Sequence, residues 1–130
     1  MIAQITISTK SHSSMEDITA QVEKAVRDSG VREGLACVYV PHTTAAVTIN
    51  EVADPDVRQD ILAKLDDLVP WYGRYRHTEG NAAAHIKATL VGSSVTLPVQ
   101  DGRLMLGTWQ GIYLCEFDGP RQRRVLIRVG

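Results

Sequence analysis

Four histidines occur in the 130-residue chain, and three of them, His42, His77 and His85, share a middle segment with Glu51, Asp54, Asp56 and Glu79. Imidazole suits zinc or nickel and carboxylate suits magnesium or manganese, so this mixture can hold a divalent metal, although its spacings match no metalloprotease or zinc-finger pattern. The blander and commoner explanation is that His42 and His85 cap or hydrogen-bond neighbouring backbone and that His77 is a solvated loop residue. His12 lies outside the segment and reads as surface. Thr43 and Thr44, with the amides around them, can hold a phosphate or satisfy local backbone. Arg121, Arg123 and Arg124 form a positive cluster suited to anion capture, to an intersubunit salt bridge, or simply to keeping an edge strand soluble. Asp54 can ligate a metal, but a helix cap accounts for it fully. In Gly107-Thr108-Trp109-Gln110-Gly111, glycines on both sides of an aromatic permit close approach of a ligand or a β-bulge, with core packing of Trp109 the commoner outcome.

These residues must be positioned by the elements around them. Ile2, Ile5 and Ile7 alternate with polar residues as a first strand, and Ser13-Ser14-Met15-Glu16 reads as a capping box opening a helix. That helix has a stripe of Ile18, Val22, Ala25 and Val26, with Gly30 as its left-handed C-cap. Leu35 to Val40 and Ala45 to Ile49 read as strands, so His42, Thr43 and Thr44 fall at their junction. Asp54-Pro55 starts a second helix running to about Leu68, its buried face drawn from Val57, Ile61, Leu62, Leu65 and Leu68. Trp71 to Glu79 has no period and reads as loop. Asn81 is expected to cap a short third helix that carries His85 and closes at Gly92. Strands at Ser94 to Val99 and Arg103 to Leu106 flank the hairpin signal Asp101-Gly102, and Ile112 to Phe117 and Val125 to Val129 complete the set. About seven strands with three interspersed helices predict an α+β sandwich.

Composition limits the partners. One domain, residues 1–130, buries roughly two-thirds of its unfolded surface without disulfides or structural metal. A formal net charge of -1 and an aromatic content of 5% provide neither a basic face nor stacking platforms, which argues against nucleic acid as a partner. With no leader-like amino terminus and no apolar run of membrane-spanning length, the expectation is a cytoplasmic protein without membrane association. Cys37 and Cys115 lie in apolar segments far apart and read as buried free thiols.

His42-Thr43-Thr44, Asn50-Glu51 with Asp54-Pro55-Asp56-Val57, Tyr75 with His77, Gly80 and His85-Ile86-Lys87, then Gly107-Thr108-Trp109-Gln110-Gly111, follow one another in the order of a known family's signature blocks. The chain resembles the YjbQ-type secondary thiamine-phosphate synthase family from about Leu35 to Arg128, and the Gly-Thr-Trp-Gln-Gly block is distinctive rather than generic. The resemblance implies a two-sheet β-sandwich with flanking helices, a homotrimer about a threefold axis, and candidate sites near subunit boundaries. It also implies a weak transferase activity joining an aminopyrimidine diphosphate to a thiazole phosphate with release of pyrophosphate, for which pyrophosphate charge must be neutralised and a pyrimidine cation stabilised. By motif position His42, His77 and His85 become the catalytic and metal-ligand set for zinc or magnesium, with Glu51 and Glu116 as acidic partners. Arg121 and Arg124 join Thr43 and Thr44 as contacts to a small phosphorylated metabolite. The alternative is a trimeric module that binds a metal or small anion without physiologically important catalysis.

Overall fold

In the computed structural model, which describes residues 1–130, the alternating isoleucines form β1 (Ile2–Ser8), whose Ala3, Ile5 and Ile7 turn inward. The chain continues through β2 (Ser14–Asp17), α1 (Thr19–Ser29), β3 (Gly34–Tyr39), β4 (Ala45–Glu51), α2 (Pro55–Leu68), α3 (Ala82–Val91), β5 (Ser94–Gln100), β6 (Arg103–Leu104), β7 (Gln110–Glu116) and β8 (Gln122–Val129). All strand pairs are antiparallel. They build a five-stranded sheet in the order β1-β8-β3-β5-β6 and a three-stranded sheet in the order β2-β7-β4. No helix is long and apolar enough to cross a membrane.

Two apolar layers follow from this order. Between the sheets, Ala36, Val38, Val99, Val125 and Ile127 meet Val47, Ile112 and Leu114, and α1 adds Val22 and Val26. On the other face of the smaller sheet, Met15, Tyr113, Cys115 and Phe117 pack against Ala84 and Ala88 of α3 and against Ile61, Leu62 and Leu65 of α2. β7 lies between these layers and is buried from Gly111 through Glu116, which is why it reads as an almost unbroken apolar run. Burial pushes the Cys115 thiol up to about 12. Cys37, expected to be buried too, is only half-buried on the outer face of the larger sheet.

Several local expectations give way to tertiary packing. The Ser13–Glu16 stretch opens no helix. Ser14–Asp17 pairs with β7, Met15 opposite Cys115, and α1 begins two residues later, where the Asp17 carboxylate accepts from both the amide and the hydroxyl of Thr19. Burial of Met15 against Phe117 and Tyr113 outweighs a cap that the chain replaces one turn on. On α2 the expected stripe is only half-buried, and Leu68 is 65% exposed. Asn81 makes no capping bond, because its amide nitrogen donates instead to Asp118 at 2.8 Å. Trp109 is 62% exposed and not in the core. The place beside it is taken by Gly111, where a Cβ would come within 2.1 Å of Val52 Cγ1 and 2.9 Å of Thr19 Oγ1.

Other expectations hold. Gly30 takes a left-handed conformation and closes α1, and Asp101-Gly102 forms a tight turn with φ 53 and 75 between β5 and a β6 of two residues. The Asp54 carboxylate accepts from the Asp56 amide at 2.9 Å with Pro55 at the first helical position. Asp54→Ala should therefore lower unfolding free energy by about 1 kcal/mol in a denaturant titration, while Asp54→Asn keeps nearly all of it. Gly111→Ala, which forces two side chains apart in a packed layer, should cost about 3 kcal/mol in the same measurement.

Candidate functional site

The turn that carries the chain from β7 in one sheet to β8 in the other is organised by a buried ion pair. Glu116 is fully buried and Arg123 nearly so. Arg123 Nε donates to Glu116 Oε1 at 2.8 Å and Nη2 to Oε2 at 2.5 Å, a two-bond geometry that fixes both side chains. The Thr9 hydroxyl donates to Oε1 at 2.8 Å and the Asp118 amide to Oε2 at 3.0 Å. Arg123 also reaches the Thr44 hydroxyl oxygen at 2.8 Å. Burial alone would raise the Glu116 carboxyl, but the Arg123 guanidinium, the Asp118 amide and the Thr9 hydroxyl outweigh it and hold the group below its ordinary value.

This network sets the position of His42. The Arg124 amide, next along β8, donates to His42 Nε2 at 2.9 Å. That nitrogen therefore carries no proton, and the neutral ring holds its proton on Nδ1. Burial, followed by the charges of Arg123 and Arg124, lowers the His42 pKa and keeps the ring neutral, with Glu116 opposing.

His42 and Thr43 line one side of a cleft of about 440 Å³, and His85, Ala88 and Thr89 of α3 line the other, with Ala45, Gly92 and Ser93 between. His85 also faces a second, adjoining cleft of about 390 Å³ with Tyr75, Arg76 and His77. The rings of His77 and His85 meet edge to face at 5.2 Å, and His77 Nε2 lies 3.8 Å from Glu79. The sequence thus brings His42, Thr43, His85 and His77 along one continuous surface.

It does not bring everything expected there. No group of three or more His, Cys, Asp or Glu side chains is arranged to hold a metal ion, so the three histidines do not form one ligand set. Nε2 of His42 is committed to a backbone amide, leaving only its protonated nitrogen toward a ligand. Glu116 and Thr44 are buried and bound to Arg123, with no surface to offer a substrate. Arg121 binds the Asp118 carboxylate at 3.0 Å and its carbonyl at 2.8 Å. Glu51 closes the other end of β4, roughly 20 Å from Ala45 at about 3.3 Å per residue, and its carbonyl accepts from the Tyr113 hydroxyl. Arg124 stays exposed and forms no ion pair.

Residues not singled out from sequence include Thr9, Arg76, Thr89 and the pairing of Arg123 with Glu116. Only the last had a signal. Arg123 occupies an inward position of a strand whose next inward residues are Val125 and Ile127, and Glu116 interrupts the apolar run of β7. Two charges on inward faces of neighbouring strands call for each other.

The sequence profile of a family described as UPF0047 protein YjbQ-like matches residues 3–130. The UPF0047 protein YugU of Bacillus subtilis is 50% identical over 130 residues, spanning 99% of this chain and 98% of its own length. Among solved structures, an uncharacterised conserved protein of the YjbQ/UPF0047 family from Clostridium acetobutylicum superimposes with a TM-score of 0.97 at 52% identity, covering 98% of this chain and 99% of its own. A protein of unknown function from Sulfolobus solfataricus gives a TM-score of 0.96 at 36% identity, covering 99% and 95%.

Removing one partner of the buried pair strands the other charge, so Glu116→Gln should cost about 3–5 kcal/mol in denaturant unfolding. Acidification should remove stability in two steps. His42 has a lowered folded pKa, so its contribution is complete above about pH 6.5 and is lost as pH falls through the lower folded value. Glu116 is lowered as well, so its contribution is complete above about pH 4.3 and is lost below that. Unfolding titrations across this range should show the upper step disappear in His42→Gln and the lower step in Glu116→Gln.

Proposed function

The chain belongs to the UPF0047 YjbQ-like family, and from that premise we propose that the cleft at His42, Thr43 and His85 recognises a small phosphorylated metabolite. The observation that carries this reading is the cleft's composition. Two histidines and the hydroxyls of Thr43, Thr89 and Ser93 line it without a single carboxylate, and the adjoining cleft adds Arg76, which has no ion-pair partner. The Nδ1–H of neutral His42 and the hydroxyls of Thr43 and Ser93 are donors suited to phosphate oxygens, while the Thr89 hydroxyl donates to the His85 carbonyl at 2.9 Å. Arg124 lies next to this surface through its bond to His42.

Within this reading the resemblance supplies a reaction, secondary thiamine-phosphate synthesis. The methylene carbon of an aminopyrimidine diphosphate bonds to the nitrogen of a thiazole phosphate, and pyrophosphate leaves with the electron pair of the broken C–O bond. His42, Thr43, His85 and His77 would hold phosphate oxygens. Magnesium enters with the pyrophosphate of the substrate, not on a three-histidine centre. A homotrimer belongs to the same reading, supported by Leu35 and Tyr39, 52% and 44% exposed on the outer face of the larger sheet. A second copy would also supply Glu51, which its own chain holds far from His42.

A second reading, a module that binds a small anion without turnover, is favoured by one feature, the absence of any carboxylate in the cleft to act as a general base. Incubation with both substrates and magnesium separates the two. Thiamine phosphate formation that falls about tenfold or more in His85→Gln and Thr43→Val, the effect of one lost charge-assisted hydrogen bond, supports the enzyme. Pyrophosphate binding that needs the same residues, with no product, supports the module. Neither product nor binding would reject the cleft. Light scattering at micromolar concentration should give three times the mass of one chain.

A further inference from the structure

At the end of the molecule away from His42, α1 packs against the hairpin of β5 and β6 and leaves a cleft of about 440 Å³. Its floor is apolar, formed by buried Val26 and Leu104, and its walls carry Arg27, Arg32 and Arg103 together with Glu23 and Asp101. No ion pair in the molecule involves any of these three arginines, and none of their guanidiniums makes a hydrogen bond to another residue. Three arginines and two carboxylates line the one concavity, so cationic side chains outnumber anionic ones there and the guanidiniums are left without a bonded counter-charge. An anion that joins the guanidiniums supplies that counter-charge.

The arginines are held by backbone structure. Glu23 and Arg27 lie four residues apart on one face of α1. The Gly102 amide donates to the Arg32 carbonyl at 3.0 Å, and Arg32 Nη1 passes so near that a Cβ at residue 102 would stand 3.3 Å from it. The tight turn thus seats the Arg32 guanidinium across the hairpin tip. Arg103 follows the turn directly.

We propose that this cleft is a second binding site, for a phosphomonoester whose organic part carries hydroxyl groups. The three guanidiniums receive the phosphate, whose oxygens accept their paired N–H groups. Glu23 and Asp101 are acceptors only, so they would repel a ligand that is anionic throughout and instead accept from hydroxyls. Val26 and Leu104 provide the surface on which the carbon skeleton rests. The site is independent of the cleft at His42, because Ser93 and Asp101 flank opposite ends of β5, roughly 25 Å apart at about 3.3 Å per residue.

Ribose 5-phosphate is the probe, titrated into the full chain and followed by calorimetry and by amide chemical shifts. Saturable binding is expected, with shifts at Asp101, Gly102 and Arg103. Affinity should fall at least tenfold in Arg32→Gln and in Arg103→Gln, severalfold in Asp101→Asn, and remain unchanged in His85→Gln. Arg32, Asp101 and Arg103 are exposed and His85 is half-buried, and thermal melts matching the parent will confirm that each variant folds. Shifts confined to His42 and His85, or affinity retained when Arg32→Gln and Arg103→Gln are combined, would overturn the assignment. No saturation at millimolar ligand would do the same. Inorganic phosphate binding as tightly as the sugar phosphate, with Asp101→Asn neutral, would overturn the ligand class.

Discussion

The Glu116–Arg123 pair is the constraint on which the rest of this molecule turns. It joins the two sheets where β7 of one leads into β8 of the other, and it does so with both charges out of water. Such a pair stabilises little beyond what an apolar contact would, but its geometry is exacting. Once Arg123 spans Glu116 and Thr44, the segment before β4 has one position relative to β8, and the Arg124 amide arrives at His42. The electrostatics of the cleft are thus inherited from a group with no exposed surface of its own. A substitution at Glu116 would disturb ligand recognition and stability together, so loss of activity there would not by itself mark a catalytic role.

The signature residues that resemble the family's blocks fall at two ends of the smaller sheet. His42, Thr43 and His85 gather near Ala45, while Glu51, Asp54 and Trp109 gather at the other end, where the Val52 amide donates to the Trp109 carbonyl. Some of the second group have structural roles: Asp54 caps α2, Gln110 accepts from the Gly107 amide, and Gly111 admits Val52 and Thr19. Trp109 has no such role within one chain, and its exposed ring is explained by nothing inside the fold.

Much of this was legible in the sequence wherever a local rule and a burial pattern agreed. Asp54-Pro55, Gly30 and Asp101-Gly102 each carry backbone chemistry that packing has no reason to oppose, and all three behave as read. The misreadings lie where a distant partner decides. Ser14–Asp17 has a helix-start pattern, but the unpaired edge of β7 is invisible from that stretch alone. Asn81 prefers Asp118, 37 residues away, to its own helix. For the site, types and spacing marked the histidines, but their geometry depends on an amide of β8 that no motif contains. The half-buried stripe of α2 looked like a core face because periodicity reports which side is apolar, not how deeply it is covered.

β1 is held in place along its whole length by β8, Ile2 opposite Arg128 and Ser8 opposite Gln122, and has no other strand beside it. During synthesis at about 5–20 residues per second, β1 emerges on the order of ten seconds before its only partner. Throughout that interval its three isoleucines and its unpaired amides face whatever the nascent chain meets. Thr9 likewise waits for Glu116 and Arg121. The larger sheet therefore gains β1 only once β8 has been made, and the vulnerable species is the chain in which β1 has emerged and β8 has not.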